Sequence, residues 1–260
     1  MSLISHAIRS SLHAFDIDIA RHSTLRDLRA RASAADDLQL LKTLPREHAA
    51  QLLENLDKSK GQLRQDLFVL SQLGFKTEGF FVEFGATNGV DLSNTHLLEK
   101  EFGWKGILAE PARCWHQALR SNRSASIEDR CVWKDSGSTL KFNEVDLPEL
   151  STVDAFSGGD GHAQFREQGK TYEVSTISLN DLLAKHGAPA QMDYLSIDTE
   201  GSEFEILRHL DFDKYSFRVI TCEHNFTPMR EKLHELLTRH GYQRRHEALS
   251  KFDDWYVRPL

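Results

Sequence analysis

Hydrophobic spacing divides the chain in two near residue 75. Up to Gly74 the apolar positions recur three or four apart, the period of helices with one buried face. Ala34–Leu44 and Arg46–Leu56 show it, with Pro45 well placed at a helix start. Gln62–Leu73 shows it through Leu63, Leu67, Leu70 and Leu73, and Gly74 ends it. After Gly79 the pattern changes to short runs rich in aromatic and β-branched residues. These are Phe80–Phe84, Gly106–Ala109, Ser126–Trp133, Tyr194–Ile197 and Arg218–Cys222. Helical stretches separate them: Leu92–Phe102, Ala112–Arg120, Leu179–His186, Ser202–Leu210 and Met229–His240. Alternating strand and helix predicts a parallel sheet. Tyr242–His246 and Asp254–Val257 have no room for a helix between them, so they predict a closing antiparallel hairpin. The expected division is a helical segment over 1–74, placed to pack on the sheet and cover its crevice, and an α/β domain over 75–260.

Lys134–Ile177 interrupts the alternation. Leu140-Lys141-Phe142 and Tyr172-Glu173-Val174 read as added strands, and Ser157–His162 is a Gly-rich loop. That loop is either a lid or a surface excursion.

The chemistry centres on Gly79-Phe80-Phe81-Val82-Glu83-Phe84-Gly85-Ala86-Thr87-Asn88-Gly89. A strand, a Gly turn and a helix make a nucleotide-sized crevice at the strand ends of an open sheet. Gly85 lets backbone and ligand approach closely. A dinucleotide fingerprint would need G-x-G-x-x-G, and here Thr87 stands in place of a glycine. Glu83 at the strand tip suits a cation better than a pyrophosphate. Glu110 ends the second strand, where a carboxylate meets ribose hydroxyls. Glu83, Gly85 and Glu110 together point to S-adenosylmethionine.

Asp198, Glu200 and Glu203 follow the fourth strand, and Glu223-His224-Asn225 follows the fifth. Glu203 has sufficient reason to exist as an acidic residue in a helix's first turn, with Ser202 as a possible cap. The others sit at strand tips, where ligands bind. Asp198, Glu200 or His224 could act as general base on a hydroxyl. Alternatively Asp198, Glu223 and Asn225 could hold a divalent cation such as Mg²⁺.

These motifs resemble the FkbM family of S-adenosylmethionine-dependent methyltransferases. The resemblance lies in Gly79–Ala86, Leu92–Thr95, Leu98–Lys100, Gly103–Gly106 and Glu110-Pro111, then in Leu195–Glu203 and Glu223–Asn225. Gln65–Val69 resembles the segment preceding the first strand of that family. It implies a class I, Rossmann-like sheet and methyl transfer, most often to an oxygen of a sugar or natural product. By position it assigns Glu83, Gly85, Asn88 and Gly89 to the methionine part of the cofactor, with Ser93 and Asn94 supporting that turn. Glu110 would take the ribose, and Asp129 or its neighbours the adenine. The competing readings are a nicotinamide-dependent oxidoreductase and a non-catalytic binding protein on the same fold.

Charge narrows the partners. The net charge is −7, and residues 1–78 are nearly balanced at 11 Lys/Arg to 10 Asp/Glu, so the α/β part is acidic. That disfavours nucleic acid and favours a small-molecule or saccharide acceptor. No apolar run approaches the ~20 residues of a membrane span. Met1–Phe15 has helical apolar spacing but lacks the core of a secretory signal. Cys114, Cys131 and Cys222 lack C-x-x-C spacing, so a reducing cytoplasm is expected and a disulfide framework is not. Apolar faces in residues 1–60 could pair two chains.

Overall fold

The computed structural model describes residues 21–158 and 161–259. The predicted helical spacing of Met1–Phe15, and Gly159 and Asp160 of the Gly-rich loop, lie outside the described residues. Two compact units divide after Thr43. The first contains helix α1 (His22–Thr43), which covers the Ala34–Leu44 prediction up to Thr43.

The second unit starts at Leu44, earlier than the boundary expected at 74. Its chain order is a 3-10 turn (Arg46–His48), α2 (Ala49–Asn55), α3 (Gln65–Gln72), β1 (Phe80–Phe84), α4 (His96–Phe102), β2 (Lys105–Ala109) and α5 (His116–Asn122). Then come β3 (Ser126–Glu128), β4 (Cys131–Trp133), β5 (Thr139–Glu144), β6 (Thr152–Val153), α6 (Ala163–Arg166), β7 (Lys170–Ser178) and α7 (Leu179–Lys185). It closes with β8 (Gln191–Ile197), α8 (Glu203–Leu207), β9 (Ser216–Glu223), α9 (Met229–Arg239), β10 (Gln243–Arg245), α10 (Glu247–Ser250) and β11 (Asp253–Val257). Helix α3 belongs to this unit because Phe68 stacks on Trp255 at 4.5 Å and Gln65 hydrogen-bonds Asp253.

Seven strands form the main sheet in the order β10-β11-β9-β8-β1-β2-β3. The run from β9 to β3 is parallel, and β11 and β10 are antiparallel. This is the class I methyltransferase sheet with its terminal hairpin. In β1, Phe81, Val82, Glu83 and Phe84 are all buried, as a central strand covered on both faces requires. The register pairs Phe84 with Ala109 on one side and Ile197 on the other. Gly85, Glu110 and Asp198 therefore emerge side by side.

Local details depart from the sequence pattern. The helix expected from Leu92 begins at His96, because Glu83 ties the preceding residues into a loop. The Ser126–Trp133 run breaks into β3 and β4, which belong to different sheets. The insertion supplies strands that join β4 in a second sheet, β4-β7-β5-β6. The hairpin connection, expected to hold no helix, contains the four-residue α10. The helix expected from Ala112 starts at His116. Among the described residues, no helix is long and apolar enough to cross a membrane.

Glu83 and Arg123 lock the loop between β1 and α4. The Glu83 carboxylate accepts hydrogen bonds from the Ser93 and Thr95 hydroxyls and from the Asn94 N–H at 2.7 Å. Arg123, whose side chain is fully buried, lies 3.7 Å from it and pairs with Glu99 at 2.8 Å. The same guanidinium donates to the Gly89 carbonyl and to the Ser93 and Thr95 hydroxyls. Removing one member of a buried ion network leaves the others desolvated and unpaired. Arg123→Met should therefore cost about 3–5 kcal/mol, read as a lower urea midpoint at unchanged slope. A variant as stable as the parent would show that the loop does not depend on this pair.

Candidate active site

The tips of β1, β2, β8 and β9 open into a crevice of about 280 Å3. Glu83, Gly85, Asn94, Glu110, Asp198, Glu200, Glu223 and Asn225 all contribute to its wall. The insertion forms the facing wall through Phe142, Leu150, Val153 and His162.

Gly85 has φ +72°, and a Cβ there would sit 2.0 Å from the Asp198 carbonyl oxygen. The glycine is thus required by the approach of two protein turns, not by a ligand alone. Glu83 reaches the wall, but its carboxylate is engaged by the loop and Arg123. Its pKa is raised by burial and pulled back by the guanidinium.

Several expected binding residues face elsewhere. The Asn88 side-chain oxygen accepts from the N–H groups of Val90 and Asp91, closing its own turn. Gly89 packs on Leu119 and Arg123, where any Cβ would clash. Ser93 binds Glu83 and accepts the His96 N–H at the start of α4. Asp129 forms a surface ion pair with Arg120, outside the crevice. The wall beyond Glu110 is made instead by Pro111, Cys131 and Val132. His224 follows Glu223 in an extended run, so it points to the opposite side of the sheet. It is buried, and its Nδ1 accepts the Phe226 N–H at 3.0 Å. Burial lowers its pKa against the pull of the neighbouring Asp254 charge. These contacts remove it from the candidate bases facing the crevice.

Glu110 keeps a position suited to a ligand. One oxygen accepts the Thr87 N–H and the other the Ala112 N–H, both at 2.8 Å. Each retains acceptor capacity toward the crevice. Burial raises its pKa to about 7, against those two hydrogen bonds and with help from the charges of Asp198 and Glu144.

Asp198 and Glu223 bring carboxylate oxygens within 4.8 Å of each other, and each shifts the other's titration. Burial raises both pKa values, and for Glu223 the adjacent Asp198 charge adds to it. Two adjacent carboxylates resist carrying two charges at once. Glu200 has left-handed backbone, φ 57°, and its carboxylate meets Arg166 at 2.8 Å. Carboxylate oxygens of Asp198, Glu200 and Glu223 lie within 4.8 Å of one another. The expected cation set of Asp198, Glu223 and Asn225 does not fit, because Asn225 turns its amide nitrogen inward. That nitrogen donates to Glu200 at 3.1 Å and to Glu223 at 2.8 Å. The Arg166 guanidinium and the Asn225 amide already pair with Glu200 and Glu223 on this side.

Glu203 holds the turn by accepting from the N–H groups of Thr199 and Gly201 at 2.9 and 3.0 Å. Ser202, expected as a cap, instead donates to the Thr199 hydroxyl. Arg123 and Arg166 had no signature in the sequence, since each meets its carboxylate only after long-range folding.

Glu110 makes a pH prediction. Its folded pKa is raised above the ordinary value of 4.5. Its contribution to stability is therefore greatest below pH 4.5 and is lost as pH rises through about 7. The loss is on the order of 3 kcal/mol. Glu110→Gln should remove that part of the decline, measured by urea denaturation between pH 5 and 8. Parallel profiles for variant and parent would contradict the raised pKa.

Comparison with known proteins follows this geometry. The Methyltransferase FkbM domain family matches residues 83–244. No curated protein matches at a significant level. Among solved structures, a precorrin-6y C5,15-methyltransferase from Geobacter metallireducens is 14% identical, with 74% of this chain and 84% of that chain covered and a TM-score of 0.40. A putative RNA methyltransferase from Pyrococcus horikoshii is 11% identical, with coverage of 75% and 81% and a TM-score of 0.37. A TehB-like S-adenosylmethionine-dependent methyltransferase from Corynebacterium glutamicum is 10% identical, with coverage of 82% and 97% and a TM-score of 0.36. Such distant likenesses say nothing of an acceptor. The family match spans most of the chain and includes Glu83, Glu110, Asp198 and Glu223, so this chain belongs to the FkbM family of methyltransferases.

Proposed function

We propose that the protein is an S-adenosylmethionine-dependent O-methyltransferase acting on a hydroxyl of a sugar or natural-product small molecule. The observation that carries this reading is the adjacent Asp198–Glu223 carboxylate pair, lining the crevice beside the Gly85 turn.

The residues present suit the cofactor. Glu110 offers two oxygens anchored from behind by backbone N–H groups, a geometry suited to receiving vicinal ribose hydroxyls. When bound, S-adenosylmethionine supplies an activated methyl group on a sulfonium. Among the crevice walls no Lys or Arg competes for a cationic ligand.

Asp198 accepts the proton of the acceptor hydroxyl as that oxygen forms its bond to the methyl carbon. The bond broken would be the cofactor's own S–CH₃ bond, whose electron pair would stay with sulfur. Glu223 holds Asp198 in place and keeps the pair from carrying two charges. Burial makes Asp198 a stronger base than a solvated carboxylate. Asn225 and Arg166 hold Glu200 away from this exchange. The route needs no cation.

Asp198→Asn should lower kcat by about 10²-fold or more, with little change in cofactor affinity. Glu110→Ala should do the reverse, weakening cofactor binding by about tenfold or more, as measured by calorimetry. Full turnover in the first variant, or unchanged affinity in the second, would reassign that residue. Turnover should also survive exhaustive chelation, and loss restored by Mg²⁺ would replace the metal-free route.

A further inference from the structure

A recess of about 20 Å3 opens behind the Asp198–Glu223 pair. It shares Gln62, Leu92, Asn94 and Phe252, besides the pair, with the crevice wall, so the two spaces are adjacent. The volume suits one species the size of a water molecule.

Its polar lining consists mainly of acceptors. Asp253 is 3% exposed; its Oδ2 accepts from the Gln65 amide at 3.1 Å and the Trp255 indole at 3.2 Å. Its Oδ1 receives nothing. Asn94 is 9% exposed; its Nδ2 donates to Ser196 at 2.9 Å, while its Oδ1 also receives nothing. The Thr221 hydroxyl is paired with Tyr194. Three carboxylates, Asp198, Glu223 and Asp253, line the recess, and no Lys, Arg or His does. Two buried orphan oxygens need donors, and burial raises the pKa of all three carboxylates, a cost that a cation beside them relieves. Water would provide two donors and no charge. A primary ammonium provides three donors and a full charge in the same volume.

We propose that this recess binds a primary ammonium group carried by the methyl acceptor, whose neighbouring hydroxyl then lies at the mouth beside Asp198. The acceptor class is an amino alcohol, such as an amino sugar or aminocyclitol. The hydroxyl's fate rests on the methyl-transfer reading above; the ammonium site does not. A free ammonium or potassium ion shares part of this chemistry, so the test separates it.

The full chain, saturated with S-adenosylhomocysteine, is titrated calorimetrically with 2-aminoethanol hydrochloride, ethylene glycol, tetramethylammonium chloride and KCl at constant chloride. Expected is binding of 2-aminoethanol at least about tenfold tighter than each of the other three. Ethylene glycol lacks the charge, and tetramethylammonium lacks N–H donors and exceeds the volume. Asp253→Asn should erase that preference while leaving S-adenosylhomocysteine affinity unchanged. Potassium binding as tightly as 2-aminoethanol would assign the recess to a free ion and overturn the proposal. Equal binding of tetramethylammonium, or no binding of 2-aminoethanol, would overturn it as well. Should the variant not fold, the series on the parent protein decides alone. Failure of S-adenosylhomocysteine to bind would instead count against the methyl-transfer reading, and the same series without it would still read the recess.

Discussion

Arg123 reaches from the end of α5 into the loop after β1 and meets a carboxylate that water cannot reach. Glu83 and this guanidinium, with the hydroxyls of Ser93 and Thr95 between them, convert the eleven residues from Gly85 to Thr95 into a fixed wall. The rest of the crevice is built against that wall. The same loop carries Thr87, whose N–H supplies half of the backbone anchoring of Glu110. An ion pair buried this deeply is weak ground for net stability. Its effect is geometric, because every other arrangement of the loop leaves a charge unpaired.

The same logic runs through the site with a different outcome. Glu83 has a cation behind it, and Glu200 has Arg166. Asp198 and Glu223 lie against each other and the Asn225 amide, with His162 acting on Asp198 from the facing wall. Burial holds both above the ordinary carboxylate range, and the Asp198 charge raises Glu223 further. Positive charge lies behind the walls of the crevice and not on its surface. The cavity is left as an acceptor-rich space, suited to a sulfonium and unsuited to phosphates.

The insertion gives this space its second side. Its strands form a separate sheet with β4, and they bring Phe142 and Val153 opposite the strand tips. Arg166, at the end of the four-residue α6, joins the two sides by reaching Glu200 and the Leu150 carbonyl. Cofactor chemistry thus resides in the main sheet, and the insertion shapes what can enter beside it.

Much of this was legible from short-range pattern. Apolar runs between turn residues located the central strands, and their alternation with helices gave a parallel sheet closed by a hairpin. That succeeds because strand burial and side-chain period are local properties. Strand tips in such a sheet also converge, so Glu110, Asp198 and Glu223 were found from order alone. What the sequence could not reveal was which way each side chain turned and what it met. His224 went to the far side through the pleat, Asn88 and Ser93 were used by their own loop, and Asn225 offered a donor where an acceptor was expected. Arg123, Arg166 and Asp253 came to their partners from 40, 34 and 55 residues away from Glu83, Glu200 and Asp198 respectively. Contacts of that range are decided by packing and by the cost of leaving a buried charge unmatched, and neither is written in any one stretch of chain.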